Sequence, residues 1–229
     1  STGPATPQRL LFVADYNIRR GSSFDVFFGR LARRYAEDGR QVVFAVPILP
    51  APQLQSAFDH PNIRFIALPR WRKDPGNAKS KRHEFRALRD LTRQLDLHEF
   101  DLTAFHFCNP MLACMVRAVL GAGGQRPALV FHQHNEVRSP SGNAVRRALA
   151  RRYSKLRMAA SFLDLIVPVY REGGDHLGNK GVPKSKIDVL YNGIDLERFS
   201  GPSSREEVCR ELNIPADWQL LIFVGSVIE

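Results

Sequence analysis

The chain has 229 residues, about one and a half domains of average size. At 44% hydrophobic and 24% charged residues it is too apolar for a disordered chain, and no apolar run approaches the ~18 residues of a membrane span. Lys and Arg number 33 against 23 Asp and Glu, and the resulting charge of +10 attracts polyanions such as nucleic acid, anionic headgroups or phosphorylated substrates. The start, Ser1 to Pro7, lacks the basic and apolar segments of a signal peptide. The three cysteines, Cys108, Cys114 and Cys209, form no CxxC pair. They read as incidental thiols of a cytoplasmic protein rather than a disulfide framework or a zinc site.

Short apolar runs alternate with helical stretches. Arg9 to Ala14 reads as a buried strand, and a polar loop, Asp15 to Ser23, follows. Phe24 to Asp38 has helical spacing, with Gly39 placed as a left-handed C-cap. Gln41 to Val46 and Asn62 to Leu68 are the next strands, and Lys81 to Leu97 turns helical. Then come a strand at Leu102 to Phe107, a helix at Pro110 to Leu120 and a strand at Ala128 to His132. A helix at Asn143 to Ala160 and strands at Leu163 to Val169 and Ile187 to Leu190 complete the series. Strands apolar on both faces and separated by helices predict a doubly wound parallel sheet, an α/β fold with ligands at the C-terminal strand ends. This domain is expected to span residues 1–199. Residues 200–229 then hold a linker, a helix opened by Ser203-x-x-Glu206 or Ser204-x-x-Glu207, and an apolar strand, Gln219 to Val224.

Several residues can carry chemistry. Gly21, Ser22 and Ser23 lie where a strand-to-helix loop offers N–H groups and hydroxyls to an anion. His132 and His134 alternate at a strand end, so their imidazoles share a face. One reading is a metal site completed by His106 or Asp164; the other has one buried and one surface histidine. The metal reading is set aside because no supporting carboxylate pattern accompanies it. Two basic tracts stand out. Arg70 to Arg93 holds nine basic and three acidic residues, and Asn143 to Ala160 holds six basic and none acidic. Each reads either as a solvated helix face or as a surface for an anionic membrane. Aromatic residues are not interleaved as a nucleic-acid stacking platform needs, so no specific nucleic-acid partner is expected.

The stretch Ile187 to Phe199, IDVLYNGIDLERF, with LLIFVGSVIE about twenty residues later, resembles the interdomain segment of retaining GT-B glycosyltransferases of family 4. Asp101 to His106, Val130 to Glu136 and Leu163 to Val169 resemble successive strands of that family's first domain, with Tyr170 where a small Ser is common. The resemblance implies the N-terminal, acceptor-side half of a hexosyltransferase that uses a UDP- or GDP-linked sugar and needs no metal or other cofactor. It places His134 in the catalytic cleft against the donor, and His106, Asn135, Glu136 and Arg138 on the acceptor rim. Asn192, Gly193 and Asp195 fall at the interdomain hinge. The donor-holding Glu-x7-Glu element belongs to a second domain, so the 229-residue chain alone is expected to be inactive. The acceptor is expected to be an anionic or lipid-linked sugar at the inner face of the plasma membrane. An uncovered Gln219 to Val224 strand is expected to favour self-association. The rival readings are a basic α/β module binding nucleic acid or an anionic polymer, and a histidine-liganded metal hydrolase.

Overall fold

The computed structural model describes residues 7–16, 23–52, 58–71, 82–121, 126–134, 145, 154–194, 196, 204–215, 217–219 and 221. Six parallel strands form one sheet: β1 (Arg9–Ala14), β2 (Gln41–Val46), β3 (Ile63–Ala67), β4 (Leu102–His106), β5 (Ala128–Gln133) and β6 (Leu165–Pro168). Their spatial order is β3-β2-β1-β4-β5-β6. The chain reverses its winding between β1 and β4, where open α/β sheets leave a crevice at the C-terminal strand ends.

Both faces of the sheet are apolar, which is why the strands read as continuous hydrophobic runs. Leu10, Phe12, Val42, Phe44 and Ala104 form one face with Phe28 and Ala32 of helix α1 (Ser23–Glu37). Leu11, Val13, Val43, Phe105, Leu129 and Ile166 form the other. They pack with Ala87 and Leu91 of α2 (Arg82–Gln94) and with Leu112 and Val116 of α3 (Pro110–Leu120). On the first face the register pairs Phe12 with Phe44 and Phe44 with Phe65, and the rings stack at 5.1 and 4.9 Å. Gly39 closes α1 at φ 83, a value that an L side chain rarely adopts.

Some elements depart from the expectations. Ile187 to Leu190 is not a strand: only an isolated bridge joins Ile166 and Ile187. Asp188 and Leu190 donate to the carbonyls of Ile166 and Pro168 at 3.1 Å each. Pro168 has no N–H to return the bond, so the ladder does not propagate. The expected helix Asn143 to Ala160 is described only at Val145 and over 154–160. There Ser154 is extended (φ −63, ψ 127), and α4 (Lys155–Ala160) starts anew behind it. The helix predicted from Lys81 stops at Gln94; Asp96 then caps a 3-10 turn by accepting from His98 N at 3.0 Å. Helix α5 (Arg171–Asn179) has no counterpart in the sequence reading because Gly173, Gly174 and Gly178 depress its helix propensity. Gly173 is used by packing: a Cβ there would lie 3.1 to 3.2 Å from the Tyr170 ring.

The chain divides into two compact units, Ser1–Asn192 and Gly193–Glu229. The second contains α6 (Arg205–Glu211), whose N-terminus carries a reciprocal capping box between Ser204 and Glu207. Of the expected strand Gln219 to Val224 only Gln219 and Leu221 are described, so that expectation and the self-association built on it lie outside the described residues. Among the described residues no helix is long and apolar enough to cross a membrane. All three cysteines are free and buried.

Candidate functional site

The crevice end of the sheet is built from the last residues of β4 and β5. Parallel register sets His106 directly beside His132. His134 lies two residues beyond His132, so strand alternation returns it to the same face. The three imidazoles cluster there. His134 Nε2 lies 3.1 Å from His106 Nδ1 and 3.1 Å from His132 Nδ1. His106 and His132 are buried, and His134 is half-buried. The rings extend the aromatic row of β1 and β2: His106 meets Phe28 edge-on at 4.9 Å and lies 5.6 Å from Phe12.

Phe107 is the residue that shapes this corner. It follows β4 with φ 56, a left-handed value costly for a bulky side chain. The turn lays its ring on that of His134, with centroids 4.1 Å apart and planes 16° apart. Two residues on, Asn109 caps α3 by accepting from Met111 N at 3.1 Å, with Pro110 in the first turn. The backbone strain is thus held between a paired strand and a capped helix, and its product is a fixed His134 ring.

Burial sets the electrostatics. Removal from water holds His132 down at about 4 and His134 at about 3; the His132 ring adds to the second shift. Burial also pushes His106 well below 6.5, helped by its two neighbours. All three rings are therefore neutral at pH 7. Neutral imidazoles can donate one hydrogen bond, accept another, or ligate a cation. Beside them a cavity of about 280 Å³ is lined by Phe107, Cys108, His132, His134, Lys155 and Lys180. The two lysines make it a polar cleft suited to an anionic group. Burial raises the Cys108 thiol above its usual range, so it is not a nucleophile. A larger cavity of about 680 Å³ lies at the opposite end of the sheet, lined by Asp101, Arg117 and Asp164 among others. Arg117 and Asp164 pair with each other there.

Of the residues singled out in the sequence, His106 and His134 come together, and His132 joins them. Asp164 does not: it sits at the opposite end, where it binds Arg117 and accepts from Leu129 N. Gly21, Ser22, Asn135, Glu136, Arg138 and Asp195 lie outside the described residues; Ser23 opens α1. Asn192 closes the first unit and Gly193 opens the second. The Asn192 Oδ1 atom is buried without a hydrogen-bond partner. His132 shares a face with His134, as strand alternation predicts, and His106 rather than Asp164 completes the group; the contribution of Phe107 was not anticipated. Aligning DLTAFH with ALVFHQH as neighbouring strands brings His106 into register with His132, whereas nothing in the sequence signals a left-handed Phe107.

Comparison with known proteins agrees with this architecture. A family described as Glycosyltransferase Family 4 matches residues 25–198. A D-inositol 3-phosphate glycosyltransferase of Thermobifida fusca is 36% identical over 63 residues, which is 28% of this chain and 14% of that protein. Anabaena HepE, crystallised with UDP-glucose, superposes with a TM-score of 0.55 at 14% identity, covering 90% of this chain and 50% of the other. A glycosyltransferase from Rickettsia africae gives 0.55 at 14% identity, covering 93% and 51%. The chain thus spans about half the length of the solved structures it matches. Its sheet is the Rossmann-like α/β fold of GT-B glycosyltransferases.

Proposed function

Because the chain belongs to glycosyltransferase family 4, we propose that it forms the acceptor-side domain of an enzyme moving a hexose from a UDP- or GDP-linked sugar to an acceptor hydroxyl with retention of configuration. The observation that carries this reading is His134, fixed by Phe107 at the mouth of a lysine-containing cleft on the C-terminal strand ends. A neutral imidazole there can donate to or accept from a sugar hydroxyl, or donate to a phosphate oxygen. His106 lies behind it and orients it. Ser22, Ser23, Asn135, Glu136 and Arg138 are proposed to complete the rim, and Asn192 to Asp195 the hinge. The leaving diphosphate would be stabilised by donors and cations of a second domain, and no metal is assigned to this step. The acceptor is proposed to be anionic or lipid-linked, with the enzyme peripheral on the inner membrane face. Family membership disfavours the nucleic-acid module and the metal hydrolase.

The test is transfer from radiolabelled UDP-glucose and GDP-mannose to phosphorylated and lipid-linked acceptors. It uses the chain joined to a donor-binding second domain. His134→Ala should lower turnover by about 10²- to 10³-fold with an unchanged circular dichroism spectrum. The 229-residue chain alone should show none. Robust turnover by that chain, or full activity of the variant, would refute the proposal.

A further inference from the structure

Three ring nitrogens crowd one point at the ends of β4 and β5. Two separations, from His134 Nε2 to the Nδ1 atoms of His106 and His132, are 3.1 Å each. One nitrogen from each ring lies within 4.8 Å of the other two. A neutral imidazole has one N–H and one lone pair. If His134 Nε2 carries the hydrogen, one N–H is divided between two acceptors; if it does not, one lone pair serves two donors. The far sides of His106 and His132 do not fix the choice, since both Nε2 atoms are buried without a hydrogen-bond partner.

We propose that His106, His132 and His134 form a binding site for one late first-row divalent cation, in the first place Zn²⁺. The two 3.1 Å separations and a set of ring nitrogens within 4.8 Å of one another are the spacing of ligands around one small cation. Zinc–imidazole bonds are about 2.0–2.1 Å, and tetrahedral N···N edges are about 3.3 Å. Small rotations of the rings close the difference. Three imidazoles without a carboxylate select zinc, copper or nickel over magnesium and calcium, which require oxygen ligands. Phe28 and Phe107 restrict two of the rings, and His134 borders the cavity, which leaves a fourth coordination position for water or an anion. The site shares His134 and His106 with the transfer chemistry proposed above, so cation binding and transfer compete for it. A cation held there takes the Nε2 lone pair of His134, so that atom cannot accept from a donor sugar.

The experiment titrates the untagged, chelator-stripped 229-residue chain with Zn²⁺ by calorimetry and with Co²⁺ by visible absorption. One cation per chain is expected, with an intense tetrahedral Co²⁺ spectrum that Zn²⁺ bleaches and excess Mg²⁺ does not. Loss of groups that merely support a ligand weakens metal sites by about 10- to 100-fold. His134→Gln and His132→Asn should therefore weaken binding at least tenfold, whereas His83→Gln and His98→Gln leave it unchanged. Because His132 is buried, circular dichroism accompanies each variant, and the more exposed His134→Gln decides if His132→Asn unfolds. Absence of saturable one-to-one binding, or unchanged affinity in His134→Gln, overturns the proposal.

Discussion

The two ends of the same sheet handle polar groups in opposite ways. At the N-terminal end the carboxylates are satisfied. Asp101 Oδ2 accepts from the Gln8 and Arg9 amides at 2.8 and 2.9 Å. Asp164 accepts from Leu129 N and Arg117, and Lys186 donates to the Ala160 and Leu163 carbonyls. At the C-terminal end, three neutral imidazoles face one another, two buried Nε2 atoms have no partner, and Phe107 sits at a strained φ. Paired carboxylates mark the end that holds the sheet together, although Arg9 Nε and Thr103 Oγ1 on that side are buried without a partner. Unmet polar atoms and strain mark the end poised to act, since such costs persist where function requires them.

Acid should produce the largest effect, through the histidines of the cleft end. In the metal-free chain His132 is held at about 4 and His134 at about 3, against 6.5 for a free histidine. Below pH 6.5 the unfolded chain binds protons that the folded one refuses. Stability is thus fully present above that pH and falls progressively as pH drops toward 4. Urea midpoints measured from pH 7 to 4.5 should decline; a flat profile would break the contrast between the ends. Next in size, Asp101→Ala strips two amides of their acceptor at the closed end. A loss of about 1–2 kcal/mol is expected, read as a lowered melting temperature with no change in transfer. His106→Leu should do the reverse. It removes an unsatisfied buried group, leaves stability within about 1 kcal/mol of the starting chain, and impairs transfer through His134. Gly178→Ala touches neither end. Its Cβ would meet nothing within 4 Å, so helix propensity alone should add about 0.5–1 kcal/mol.

The sheet was legible because parallel strands buried on both faces leave unbroken apolar runs. Arg9 to Ala14 and Gln41 to Val46 were read to the residue. The failures share a cause. Ile187 to Leu190 has strand composition, but its neighbour contributes a proline where the ladder needs a donor. Helix α5 is glycine-rich, and tertiary packing against Tyr170 outweighs its local propensity. His132 and His134 were paired by strand alternation, whereas the place of His106 beside them depends on register between β4 and β5.

Pro168 has a kinetic consequence for the stretch that leaves the first unit. A paired edge strand trades bonds at every rung, but at Pro168 the return bond is missing. Asp188 and Leu190 donate to β6, and Pro168 cannot donate in return. Held by one isolated bridge and a rung that Pro168 leaves one-sided, this stretch should be the first part of the first unit's sheet edge to peel away under native conditions. Hydrogen exchange should show it opening on its own while β1 and β4 remain protected. The path toward Asn192 and Gly193 is therefore fastened like a tab, firm enough to sit in place and light enough to lift without unfolding what it is attached to.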